Sequence, residues 1–162
     1  MFALGMAPTT ASGKAEKLAL EDRIDVYRIE TWHWQTLMGK ARTPAHVNHA
    51  AAGLHYRVWV LELWRRRALR VRRLAARPPH KQHWLCIHSH EAGWAENTGN
   101  GYYGGLQMDL AFQRRYGGFL LRRKGTADNW TALEQMWTAE RALRAGRGFW
   151  PWPNAARLCG VL

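Results

Sequence analysis

Five glycines fall within the fourteen residues Ala92–Gly105 (AGWAENTGNGYYGG), with Asn-Thr-Gly-Asn-Gly at their centre. Such a run resists helix, because each glycine costs about 1 kcal/mol relative to alanine in a helix interior. It suits a short hairpin lobe built from turns. Around it the pattern is helical. Lys81 to Glu91 reads as a helix, Leu106 to Tyr116 as another, and Thr131-Ala132-Leu133-Glu134 is a capping box opening a helix that ends before Gly146. The fold class is therefore α+β, mainly helical.

Pro78-Pro79 separates this segment from a different texture. From Ala15 to Met38 the residues Leu20, Ile24, Tyr27 and Thr31 recur every three to four positions, the signature of an amphipathic helix. Thr43-Pro44 is a helix-start signal, a capping hydroxyl followed by a proline whose missing N–H costs nothing at the first position. It predicts a second helix from Ala45 to Ala76 with a stripe of Val47, Leu54, Val58, Leu61 and Leu69. The chain thus reads as a flexible lead (1–14), a basic helical hairpin (15–79) and a functional domain (80–162).

Lys plus Arg total 24 against 12 Asp plus Glu, a net charge of +12. That balance favours polyanionic partners: nucleic acid, anionic lipid or acidic wall polymers. The excess concentrates between Arg65 and Arg77, where seven arginines occupy thirteen residues. These arginines scatter around the helix and no groove-reading motif accompanies them, so nucleic acid is the weaker partner. Some of them also complement the dipole at a helix C-terminus. With 162 residues the chain has no room for a large multidomain enzyme. No apolar run of about 18 residues is present for a membrane span, and no clear signal peptide is visible in residues 1–20. Gly5 and Gly13-Lys14 are too far apart for a phosphate loop.

On the helix from Lys81, Trp84, Ile87 and His88 mark one face, and Glu91 follows on it where the helix gives way to the glycine-rich loop. A carboxyl against apolar neighbours loses solvation and holds its proton toward neutral pH, as a general acid must. The plainer reading is a solvated carboxylate at a helix end. Glu140 shares a face with Leu133, Met136 and Trp137, which points to a buried structural carboxylate. His80, His83, His88 and His90 cluster before Glu91, but His88 and His90 point to different helix faces, so no metal site is read here. Cys86 and Cys159 suit either one disulfide or two buried thiols.

Taken in order, these residues resemble a known family. Trp84-x-x-Ile87-x-x-x-Glu91-Ala92-Gly93, then Asn97-Thr98-Gly99-Asn100-Gly101-Tyr102-Tyr103-Gly104-Gly105-Leu106-Gln107, then Glu134-Gln135-x-x-x-Ala139-Glu140, Gly146-x-Gly148, Trp152-Pro153 and Cys159 look like the resuscitation-promoting-factor domain, a transglycosylase-like relative of lysozyme. The likeness covers about residues 82–160. It departs from the family in a loop around Trp94 that is two residues shorter, and in Cys86, which lies five residues before the glutamate instead of directly before it.

The resemblance implies a small lysozyme-like fold behind the helical hairpin and cleavage of the MurNAc–GlcNAc β-1,4 bond of peptidoglycan. Glu91 would be the single catalytic acid and base, and no cofactor or metal is implied. The substrate-binding candidates are Trp94, Asn97, Thr98, Tyr102, Gln107 and Asp109, with Asp109 equally readable as a helix cap. A Cys86–Cys159 disulfide is expected; it would close a loop of about 70 residues, worth roughly 4 kcal/mol in the chain-entropy model. With the disulfide go an extracellular or wall-associated location and contact of Arg65–Arg77 with acidic wall polymers. The alternatives are a module that binds wall glycan without cutting it and a basic protein that binds nucleic acid or anionic surfaces.

Overall fold

The computed structural model describes residues 11–45 and 53–162, with side chains from Ala19 onward in the first stretch. They form two compact units: residues through Trp34 together with Arg42–Arg72, and Gln35–Ala41 together with Arg73–Leu162. The chain is mainly helical α+β, as its pattern predicts. No described helix is long and apolar enough to cross a membrane.

The first unit is built from most of α1 (Ala11–Leu37) and α2 (Leu54–Ala75), whose last three residues each belong to the second. Of the lead expected over 1–14, residues 1–10 lie outside the described residues and 11–14 are already helical. On α1 the spacing of Leu20, Ile24 and Thr31 buries them as expected, with Tyr27 beside them. They meet Val60, Leu61 and Trp64 of α2, and Trp32 packs edge-on against Trp64 with ring centroids 6.0 Å apart.

Two expectations for α2 are corrected. Residues 41–45 are not helical, so Thr43-Pro44 does not open a helix at Ala45; the Thr43 carbonyl instead accepts the Trp32 indole N–H at 2.7 Å. Val47 lies outside the described residues. The buried stripe also differs: Leu54 and Val58 are exposed, and the seam runs through Arg57, Leu61, Trp64, Ala68, Val71 and Ala75. That alternating spacing of four and three is a heptad. It includes an arginine, whose long stem can lie along an apolar seam; a search for apolar letters alone passes over it.

The second unit holds α3 (Lys81–Glu91), β1 (Tyr102–Tyr103), β2 (Met108–Asp109), α4 (Leu110–Lys124), α5 (Ala132–Ala142) and α6 (Pro153–Leu158). Its core is Trp84 and Ile87 of α3, Leu106, Met108, Leu120 of α4 and Met136 of α5. The hairpin lies later than expected. Tyr102 pairs with Asp109 and Tyr103 with Met108, so Leu106–Asp109 are turn and strand, and the helix expected from Leu106 begins at Leu110. Asp109 sets that start by accepting the Phe112 N–H at 2.6 Å as N-cap.

The turn is tight for a steric reason. A Cβ on Gly104 would lie 2.5 Å from the Gln135 amide oxygen, and one on Gly105 would lie 2.7 Å from both His88 and Trp94. Gly104 also has φ +72, where side chains are strained. The capping box forms as the sequence predicts, Thr131 and Glu134 exchanging side-chain-to-backbone bonds at the start of α5. Cys86 of α3 and Cys159 at the end of α6 are joined in a disulfide with Cα atoms 6.0 Å apart.

Candidate active site

The position of Glu91 follows from α3. Trp84 and Ile87 turn the inner face of this helix into the core, and Glu91, four residues after Ile87, carries that face past the core edge. The next residue, Ala92, is fully extended, so the helix stops abruptly and leaves Glu91 at its rim. Glu91 borders a hollow of about 240 Å³ walled by Tyr102, Gln107, Trp152 and the Pro151 to Asn154 segment. A smaller hollow of about 50 Å³, lined by Asp109 and Phe112 among others, shares Tyr102, Gln107, Pro151 and Trp152 with it.

Partial desolvation by the surrounding protein raises the Glu91 carboxyl pKa from its ordinary value; His90 opposes the shift more weakly. The carboxyl is still open to solvent on one side. A proton donor that is accessible yet reluctant to ionise is the chemistry a general acid requires.

The hollow brings together Glu91, Tyr102 and Gln107, and its neighbour adds Asp109. Gln107 is the one non-glycine residue with positive φ (45°) among the described residues, and its side chain donates to the Gly104 carbonyl at 2.9 Å. Trp94, Asn97 and Thr98 are not among the residues that line either hollow. Trp94 stacks on His88 with ring centroids 3.9 Å apart, and its carbonyl accepts the Gln135 amide at 2.8 Å. Asn97 closes a local turn by accepting the Gly99 N–H, and Thr98 is exposed. Cys86, Cys159 and His90 bring their ligand atoms within 4.8 Å of one another, but both sulfurs are spent in the disulfide and offer no thiolate to a metal.

Sequence reasoning missed two supports. Trp152 forms a wall of the hollow, held by an indole bond to the Leu106 carbonyl and edge contacts with Trp84 and Phe112. Its only signal was the Trp152-Pro153 pair. Gln135, fully buried, donates to the carbonyls of Trp94 and Ala127 and fastens the glycine-rich lobe to α5. Its signal was its place beside the capping box.

With this geometry established, known proteins give an independent view. Residues 79–155 match the family model of the transglycosylase-like domain. The chain is 41% identical over 76 residues to resuscitation-promoting factor RpfE of Mycobacterium tuberculosis, a match covering 46% of this chain and 41% of that protein. It is 41% identical over 68 residues to resuscitation-promoting factor Rpf1 of Corynebacterium glutamicum, covering 42% and 34%. Over 71 residues it is 45% identical to resuscitation-promoting factor RpfB of Mycolicibacterium smegmatis, covering 42% and 19%. The chain therefore spans less than half the length of each of these relatives. Residues 79–155 are thus similar to the transglycosylase-like domain, and the chain is similar over this stretch to resuscitation-promoting factors.

Proposed function

We propose that the second unit is a glycosidase that cuts the MurNAc–GlcNAc β-1,4 bond of peptidoglycan with Glu91 as its single acid and base. The observation that carries this reading is a carboxyl with a raised pKa bordering a hollow walled by tyrosine and tryptophan, in a domain similar to the transglycosylase-like family. Protonated Glu91 gives its proton to the glycosidic oxygen as the bond to the anomeric carbon breaks and an oxocarbenium-like centre develops. The carboxylate then takes a proton from the attacking nucleophile. If that is water the outcome is hydrolysis; if it is the 6-hydroxyl of the same muramyl sugar a 1,6-anhydro ring closes.

Asp109 is committed to capping α4, so the sugar's own 2-acetamido group is the reading's source of support for the cation. Tyr102, about half exposed, offers a flat face for a sugar ring and Gln107 an amide for its polar groups, while the buried Trp152 backs the hollow. The disulfide favours a place outside the cytosol, at the cell wall. The test is digestion of purified wall by the full chain and by Glu91→Gln, followed by mass spectrometry of released muropeptides. Release by the parent and a loss of at least about a hundredfold in the variant is expected for removal of a general acid. Variant activity within a few-fold of the parent sinks the assignment, and anhydro ends among the products separate transglycosylation from hydrolysis.

A further inference from the structure

Tyr102 and Pro151, which border the Glu91 hollow, also border a larger cleft of about 470 Å³. Its volume lies within the range of roughly 300–1,000 Å³ typical of small-ligand sites. Phe112 and Tyr116 form part of its lining, together with two exposed arginines, Arg115 from α4 and Arg147 from the turn that follows α5. Arg115 lies over the Tyr116 ring, 5.6 Å from its centroid, which restrains the guanidinium. The one carboxylate in the lining is Asp109, which the start of α4 occupies. Among the described residues neither arginine is in an ion pair. The lining therefore carries two cations against one anion, and the planar guanidinium fork matches a further carboxylate, which a neutral sugar does not supply.

We propose that this cleft is a subsite for a carboxylate carried by a substituent of the sugar strand whose glycosidic bond lies at Glu91. The inference rests on the glycan-cleaving reading above. The carboxylate has two sources, the lactyl ether of a muramyl sugar without peptide and the free carboxyl groups of a peptide stem attached there. Either one reaches Arg115 and Arg147 as a side branch of the strand, past Tyr102.

The experiment measures binding by this chain carrying Glu91→Gln, a substitution chosen to keep the glycan uncut, at about 50 mM salt, where surface charge is weakly screened. Four tetrasaccharides are compared: a neutral N-acetylglucosamine oligomer, a muramyl glycan without stems, the same glycan with stems, and that glycan with its stem carboxyl groups amidated. One of the free-carboxylate forms is expected to bind about tenfold more tightly than the neutral oligomer, as two exposed charge pairs can supply. Preference for the bare muramyl form identifies the lactyl group; preference for the stem form, lost on amidation, identifies the stem. In Arg115→Gln/Arg147→Gln the preference falls below twofold, while in Arg122→Gln/Arg123→Gln, which removes equal charge at the exposed end of α4, it persists. Equal binding of all four sugars, or a preference that survives the Arg115/Arg147 double variant, overturns the subsite. Cleavage by the Glu91 form is scored separately, so an arginine-dependent preference without cleavage would remove the glycosidase reading and leave the subsite standing.

Discussion

The indole N–H of Trp84 donates to Oε1 of Glu140 at 2.8 Å, with both side chains buried. The same oxygen accepts the backbone N–H of His80 at 2.8 Å. One carboxyl therefore fixes the first turn of α3 against α5, and with it the helix whose far end carries Glu91. Replacing Glu140 with Ala leaves two donors without their acceptor, each worth about 1–3 kcal/mol. The expected loss is about 3 kcal/mol, measured by denaturant unfolding; a loss below about 1 kcal/mol would show that the donors find other partners.

Glu91 should show itself in stability as well as in activity. Its folded pKa is raised, so the folded state holds the proton more tightly than the unfolded state. Stability therefore falls as pH rises from the ordinary carboxyl pKa through the raised one. Glu91→Gln has no such loss, so its melting temperature should exceed the parent's at pH 7 and converge with it near pH 3. Cleavage by the parent should decline as pH rises through the same raised pKa, because the acid form is consumed. A parent more stable than the variant at pH 7, with the gap closing in acid, would contradict the direction of the shift.

The Cys86–Cys159 bond has a sequence separation of 73 and ties α3 to the end of α6, the short helix whose first residues, Pro153 and Asn154, line the Glu91 hollow. Cys86→Ser/Cys159→Ser is expected to cost about 2–4 kcal/mol. Thermal melts with and without reductant check it: the parent should fall to the level of the double variant when reduced, and the variant should ignore the reductant.

Gln107 occupies a left-handed backbone conformation at the wall of the hollow, a strain of about 1 kcal/mol that glycine would not carry. Gln107→Gly should relieve that strain while losing the bond to Gly104, leaving stability within about 1 kcal/mol of the parent. Glycan cleavage is expected to drop by about tenfold, through loss of the amide beside the sugar. Unchanged cleavage would mean that Gln107 serves only the turn.

Arg66, Arg70 and Arg73 on α2 and Arg77 just after it are exposed, whereas Arg65 pairs with Glu62 and Arg72 with Glu30. If the exposed four hold the protein on acidic wall polymers, replacing them with Gln should weaken sedimentation with purified wall at low salt. It should change little at high salt, because screening shortens the reach of surface charge to about 3 Å at 1 M. Equal retention of parent and variant at low salt would discard this role.

What the sequence settles here is local. The bounds of α3, the capping box of α5 and the rim position of Glu91 depend on side chains three or four residues apart, whose spacing is visible without the fold. With two cysteines in the chain only one internal pairing was open, and the packing of α3 against α6 decides that Cys86–Cys159 forms in place of two buried thiols. The remaining features were decided by residues distant in the chain. Trp152 joins Glu91 across some sixty positions, Gln135 captures the carbonyl of Trp94, and the seam of α2 takes in Arg57 in place of Val58. Register of the hairpin was fixed by the space that Gln135, His88 and Trp94 leave around Gly104 and Gly105, and that space exists only after α3 and α5 have packed. The raised pKa of Glu91 belongs to the same class, since desolvation is the work of everything packed around the carboxyl and of no single neighbour in sequence.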